Sequence, residues 1–201
     1  MAPDVTVAVF ARAPVIGQVK TRLAQDLGAR EALYVHRTLL ERTLAVVSVG
    51  AAWSAELWLA GDTDTIGEVA LPVRAQVDGD LGQRMCAAAQ DIVARRSWAV
   101  IVGCDCPVMS VAYIGQAIAA LERGHDVVFG PAEDGGYALI GLRRGHPRLF
   151  DDIAWSTSTV LEQSLERAAE LGLSVALLDP VWDVDTVEDW RRWRREVDQA
   201  R

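Results

Sequence analysis

Four stretches of the 201-residue sequence combine residue types able to handle phosphate, metal ions and hydroxyl groups. The first is Phe10-Ala-Arg-Ala-Pro-Val-Ile-Gly-Gln-Val-Lys-Thr-Arg-Leu23, which leaves a β-rich run and leads toward a helix. Unsatisfied backbone N–H groups and the helix dipole favour an anion there, and Arg12, Lys20 and Arg22 add cationic donors. Gly17-Gln-Val-Lys20 lacks the earlier glycine of a Walker A loop, so P-loop kinase and GTPase chemistry is excluded. An anion site and a solvated basic loop remain the two readings of this stretch. The second is Gly103-Cys-Asp-Cys-Pro107, directly after the apolar run 98–103. Ligands of open α/β sheets gather at the carboxyl ends of strands, which makes Asp105 a candidate ligand for a hard Mg²⁺ or Mn²⁺ ion. A turn-capping Asp is its alternative, and Cys104 and Cys106 read as small packing residues.

The third stretch, Trp182-Asp-Val-Asp185, places two carboxylates at i and i+2, on one side of an extended chain. Asp183 and Asp185 can therefore grip one cation. The same spacing recurs at Asp62 and Asp64, read as a turn, and at Asp78 and Asp80, read as helix capping. The fourth, Gly130-Pro-Ala-Glu-Asp-Gly-Gly-Tyr137, offers Glu133 and Asp134 as hydroxyl ligands or bases, with Gly135 and Gly136 allowing close backbone approach. A tight turn would look the same. The arginines of Trp190-Arg-Arg-Trp-Arg-Arg195 read as a solvated helix face in preference to an anion patch.

Short β-rich runs alternate with segments of helical period, the pattern of an α/β fold with a mainly parallel sheet. Strands are expected at 5–10, 56–60, 74–77, 98–103, 126–130, 137–142 and 173–178. Helices are expected at 29–47, with Leu33, His36, Leu40, Leu44 and Val47 on the buried face, and at 81–95. Three more follow: one capped by Ser110 and stopped by Gly124, one over 157–171, and a last one opened by Thr186 and Asp189. At Asp134-Gly135-Gly136 the alternation breaks, because a glycine-rich turn feeds another strand; an inserted hairpin or reversed strand is expected.

Length points to one domain, 1–201, with 51% hydrophobic and 24% charged residues, as in soluble globular proteins. A net charge of −8 disfavours a nucleic-acid partner, and three cysteines without a CxxC pair exclude a disulfide framework and a zinc cluster. With no apolar run long enough for a membrane span and no basic signal-like start, a cytoplasmic location is expected. The oligomeric state is not readable.

Together these stretches, with Gly79-Asp-Leu-Gly-Gln-Arg-Met85 and Trp155-Ser-Thr157, resemble the nucleotide-diphospho-sugar transferase superfamily, the glycosyltransferase A fold, a single-domain Rossmann-like three-layer sandwich. Within it the sequence resembles bacterial glycosyltransferase-like proteins called radical-SAM/selenodomain-associated or arsenosugar-biosynthesis transferases. The resemblance implies a nucleotide over the strand ends, at Arg12, Gly17, Lys20, Arg22, Gly82 and Arg84, and a cation at Asp105, Asp183 and Asp185. It also implies an acceptor at Asp134, Gly135, Gly136, Tyr137, Trp155, Ser156 and Thr157, with Lys20, Asp105 and Asp134 catalytic. The substrates implied are a nucleotide sugar or nucleoside triphosphate and a small-molecule acceptor. Glycosyltransferases of this fold usually carry Asp-x-Asp where this chain has Cys104-Asp105-Cys106. Lys20-Thr-Arg-Leu23, Asp134-Gly-Gly136 and Asp183-Val-Asp-Thr186 are also similar to nucleotidyltransferases such as phospholactate and molybdenum-cofactor guanylyltransferases. Glycosyl transfer, nucleotidyl transfer and a non-catalytic nucleotide-binding module are thus the three functional readings.

Overall fold

A computed structural model of the chain describes residues 4–50, 52–95 and 97–199. Its seven strands form one sheet in the order β3-β2-β1-β4-β6-β5-β7. They are β1 (Asp4–Arg12), β2 (Ser54–Ala60), β3 (Val73–Ala75), β4 (Ser97–Gly103), β5 (Val127–Pro131), β6 (Tyr137–Leu142) and β7 (Val175–Leu177). Six helices cover it: α1 (Thr21–Leu27), α2 (Ala29–Ser48), α3 (Leu81–Ala94), α4 (Val111–Glu122), α5 (Val160–Glu170) and α6 (Val187–Gln199). This is the single-domain, mostly parallel α/β sandwich expected.

Strand β1 shows how alternation builds three layers. Val5, Val7, Val9 and Ala11 pack with α2 and α4 residues such as Leu40 and Ile114. Ala8 and Phe10 point the other way, into the core with Met85 and Ile92 of α3. Both faces are covered, so the strand is apolar almost throughout.

Strand β6 runs antiparallel to both β4 and β5, with Ile101 opposite Ile140 and Phe129 opposite Ile140. The cause is the short connection between β5 and β6. Ala132 N–H donates to Gly136 O at 3.0 Å, and Gly135 turns the chain at φ 89°. A connection this short can only return antiparallel; a parallel neighbour needs a crossover.

Three details depart from the sequence reading. Helix α2 is buried on a second side, where Val35 and Leu39 join Leu23, Trp190 and Trp193, while Leu33 and Leu44 are only half-buried. The extra helix α1 and the 3₁₀ turns Thr63–Ile66 and Pro147–Phe150 carry too few periodic positions to show in the sequence. The helix expected from residue 157 begins at Val160. Elsewhere Asp80 and Gln83 form a capping box on α3, Ser110 caps α4, and Asp62 caps its 3₁₀ turn, whereas Asp78, also read as a cap, makes no capping bond among the described residues.

Candidate functional site

Three segments meet at the carboxyl ends of the central strands. The loop after β1 ends at Lys20, the loop after β4 carries Asp105, and residues 183–185 precede α6. A backbone bond from Val184 N–H to Asp105 O, 3.0 Å, ties the last two together. Lys20 closes the junction. Its ammonium lies 2.8 Å from Asp105 Oδ1 and 3.1 Å from Asp185 Oδ1, and it donates to Val184 O at 2.5 Å. Its backbone is left-handed, φ 48° and ψ 48°, at the N-terminus of α1. For a lysine that conformation costs about 1–3 kcal/mol and persists only where surrounding contacts dictate it.

The Lys20 side chain is only 4% exposed, against 42% for Asp105 and 45% for Asp185. Burial alone would discharge the ammonium, but the carboxylates of Asp105 and Asp185 outweigh it and hold Lys20 above its ordinary range. Reciprocally, burial would raise Asp105, yet the Lys20 charge keeps it below the usual carboxylate value. Asp183 feels the Lys20 charge only at a distance, without an ion pair. Burial, then the neighbouring charge of Asp105, push it up to about 7. Among the described residues its carboxylate takes part in no hydrogen bond or ion pair.

This donor set fits a divalent cation of the Mg²⁺ or Mn²⁺ class. It offers hard carboxylate oxygens and one half-buried carboxylate short of positive charge. His36, Cys104 and Asp105 also bring ligand atoms within 4.8 Å of one another. That trio suits a soft metal less well. His36 Nε2 is bonded to Arg12 O at 3.0 Å, and burial followed by the Asp105 charge raises the Cys104 thiol well above its ordinary range.

Two cavities open on this junction. The first, ≈ 700 Å³, is lined by Gln18, Lys20, Thr21, Gln76, Gly79 and Arg84 among others. The second, ≈ 590 Å³, is lined by Met85, Asp134, Gly136, Tyr137, Thr157 and Asp183 among others. Both share Phe10, Arg12, Arg22, Asp105, Trp155 and Asp185, so they are two halves of one cleft. Ser156, held at φ 66°, also faces both. Arg12 and Arg22 are exposed and, among the described residues, form no ion pair.

Several expected site residues serve the cleft from behind. Gly82 is buried inside α3, where a Cβ would come within 2.5 Å of the Trp155 indole; it makes room for that ring and does not line either cavity. Gly135 is likewise set back, its absent Cβ occupied by Ser158 O at 2.0 Å. Gly17 turns the β1 loop at φ 78° without reaching the cavity wall. Glu133 points away, paired with Arg192 at 2.9 Å. Arg192 also stacks 4.1 Å over the Trp182 ring, which gives one of the α6 arginines a structural partner. Cys104 and Cys106 are buried packing residues, as expected. His36 and Gln76 line the first half-cleft although no motif marks them, and Leu81 of the 79–85 motif faces both halves.

The fold has counterparts among solved structures. A protein from Desulfovibrio desulfuricans G20, described provisionally as a nucleotide-diphospho-sugar transferase, is 29% identical over 95% of this chain and 86% of its own, with a TM-score of 0.88. CMP:2-keto-3-deoxy-manno-octonic acid synthetase complexed with CTP superposes over 98% of this chain and 100% of its own at 12% identity, TM-score 0.66. The Rv0371c protein of Mycobacterium tuberculosis H37Rv, in complex with manganese, matches 94% of this chain and 97% of its own at 18% identity, TM-score 0.58. The last two share the fold alone. No curated protein matches this chain. A family model matches residues 43–157, more than half the sequence, and the chain thus belongs to the family described as an uncharacterized protein conserved in bacteria (DUF2064).

Proposed function

We propose that this chain is a metal-dependent transferase that holds a nucleotide-activated donor in the first half-cleft and a small acceptor in the second. The observation that carries this reading is the shared wall. Asp105, Asp185, Arg12 and Arg22 face both halves, and the buried Lys20 ammonium lies against the two carboxylates. The transferred group can leave its phosphate in the donor and bond to the acceptor only where both are in reach.

Arg12, Arg22 and Arg84 hold the donor phosphates, and Lys20 keeps a fixed positive charge beside the leaving group. Asp105, Asp183 and Asp185 would hold the cation, which would supply positive charge to offset that growing on the leaving phosphate. Trp155 and Tyr137 form the aromatic side of the acceptor half, their rings edge-on at 6.4 Å between centroids. Gly136, Ser156 and Thr157 line the same half with backbone and hydroxyl groups. Asp134 lies at the acceptor with one oxygen held by the Gly136 N–H at 3.0 Å, leaving the other to take a proton from an acceptor hydroxyl.

Glycosyl transfer is the favoured chemistry, supported by the 29% identity to the Desulfovibrio protein. The radical-SAM-associated or arsenosugar-biosynthesis group and a cytoplasmic location belong to the same proposal; among the described residues no helix is long and apolar enough to cross a membrane. A second reading, nucleotidyl transfer, is favoured by the single carboxylate after β4 and its ion pair with Lys20. The two are separated by incubating the protein with Mg²⁺ or Mn²⁺ and each nucleotide sugar or nucleoside triphosphate, over a panel of small acceptors. Release of nucleoside diphosphate supports glycosyl transfer, and release of pyrophosphate supports nucleotidyl transfer. Tight nucleotide binding with neither product would make the chain a binding module.

A further inference from the structure

The two halves of the cleft differ in charge. Lys20, His36 and Arg84 line the first half and not the second. Among the described residues no lysine, arginine or histidine lines the second half alone. Its own charged groups are Asp134 and Asp183, close enough for the Asp134 charge to help raise the Asp183 carboxyl. Its remaining cations, Arg12 and Arg22, stand on the wall shared with the first half, where the donor phosphates engage them. The floor of the second half is apolar. Ile101 of β4 and Ile140 of β6 are register partners, so both side chains leave the same face of the sheet, and Met85 of α3 packs in the same cluster. The rings of Tyr137 and Trp155 pack against that cluster and line the cavity with it. Thr157 donates its hydroxyl hydrogen to Ala154 O at 2.7 Å, which takes one polar hydrogen out of the cavity.

We propose that the acceptor is a small alcohol whose body beyond the reacting hydroxyl is apolar and carries no negative charge. This rests on the reading of the second half-cleft as the acceptor site. The hydroxyl lies at the free oxygen of Asp134, and a flat ring or hydrocarbon chain lies over Met85, Ile101 and Ile140, against the two aromatic rings. In the transfer the acceptor oxygen bonds to the transferred group and its proton passes to Asp134. The leaving phosphate departs with the electron pair of the bond that breaks. A phosphate or carboxylate at the far end of the acceptor would give up its water for a floor that offers no partner cation, with Asp134 and Asp183 opposing it as like charges. The asymmetry between the halves therefore sorts the two substrates, the anionic one to the first half and the uncharged one to the second.

The test uses the full chain labelled at its methionine methyl groups, in Mg²⁺ and pyrophosphate so that Arg12 and Arg22 are occupied. Benzyl alcohol, 4-(hydroxymethyl)benzoate and glycerol 3-phosphate are titrated in turn while methyl NMR follows Met85. Met109, buried in the cluster on the other face of the sheet, is the internal control. The expected result is that benzyl alcohol shifts the Met85 methyl, leaves Met109 unmoved, and binds at least about tenfold more tightly than either anion. Asp134 is exposed, and Asp134→Lys supplies the missing cation; it should bring 4-(hydroxymethyl)benzoate to within about threefold of benzyl alcohol. Either anion binding at Met85 as tightly as benzyl alcohol in the wild-type protein would overturn the proposal and leave the acceptor site standing. An Asp134→Lys protein that keeps the wild-type ratio would overturn it as well. If Asp134→Lys does not fold, the wild-type ratios decide alone. Failure of all three compounds to shift Met85 would remove the reading of the second half as an acceptor site, and the proposal with it.

Discussion

Lys20 and Arg22 look alike in the sequence, two cations on one loop, but their surroundings separate them. Arg22 is exposed and forms no ion pair among the described residues, so Arg22→Ala should leave thermal melting unchanged. Nucleotide affinity should fall by about 1.5–3 kcal/mol, the range for charge-assisted hydrogen bonds. Lys20 is buried and bridges Asp105 and Asp185, whose like charges it keeps from repelling one another. Lys20→Ala should therefore weaken binding and also cost about 1–2 kcal/mol of stability, a modest figure because both carboxylates are partly solvated. Calorimetry and melting on the two variants check this contrast; equal melting temperatures would mean that the Lys20 bridge does not form. Asp105→Asn takes away the nearer of the two carboxylates that keep Lys20 charged. Steady-state assays should show turnover falling at least about tenfold, or ~1.4 kcal/mol of transition-state stabilisation. Melting should drop too, whereas an Asp105 that merely ligated a cation would show no such drop in its absence.

At the scale of elements, the packing behind the cleft matters as much as its lining. Gly82 lets the Trp155 ring lie against α3, and a methyl group there would come within 2.5 Å of the indole. Gly82→Ala should shift Trp155, alter its fluorescence and lower activity. An unchanged emission spectrum with full activity would show that the ring is not set by α3. Farther from the site, Glu56 on β2 anchors two neighbours, bonded to Arg95 at 2.6 Å after α3 and to Arg74 at 3.0 Å on β3. Burial would raise its carboxyl, but the bonds to Arg95 and Arg74 pull it below its ordinary 4.5. A depressed folded pKa stabilises above the unfolded value and is lost as pH falls through the folded value. Arg95→Ala should thus cost about 2 kcal/mol at pH 7 and flatten the loss of stability below pH ~4.5, measurable by denaturant titration across pH. These contacts also mark what the sequence could show. The reversed β6 was legible because Asp134-Gly135-Gly136 feeds a strand directly, and the carboxylates of Asp105, Asp183 and Asp185 because each follows the expected end of a strand. Gln76 was not legible, since nothing near it in sequence signals that its amide crosses to β1. Nor were the roles of Gly82 and Gly135, because a glycine that makes room for a ring or a carbonyl is written like one that approaches a ligand.

Over the whole molecule the net charge is −8, and three carboxylates still converge at one end of the sheet. The fold tolerates this at Asp105 and Asp185 through Lys20, and offsets it only in part at Asp183, whose carboxyl burial and the charge of Asp105 push up to about 7. A nucleotide brings further negative charge to the same place, so its binding should depend on a cation that offsets both. Saturating nucleotide with Mn²⁺ should stabilise the protein by about 2.7 kcal/mol at a hundredfold excess over the dissociation constant, a rise of roughly 5–10 °C in melting temperature for a domain of this size. With EDTA the same nucleotide should give little or no rise, because its phosphates then meet the carboxylates directly. Asp183→Asn sharpens the test by giving opposite signs in the two conditions. Removing an ionised carboxylate held against burial and the charge of Asp105 should raise the melting temperature of the ligand-free protein above neutral pH. The same substitution removes one cation ligand and should shrink the rise produced by nucleotide with Mn²⁺. If nucleotide stabilises equally in EDTA, or if Asp183→Asn leaves the Mn²⁺-dependent rise intact, the carboxylates do not hold a cation and the cleft works by its arginines and Lys20 alone.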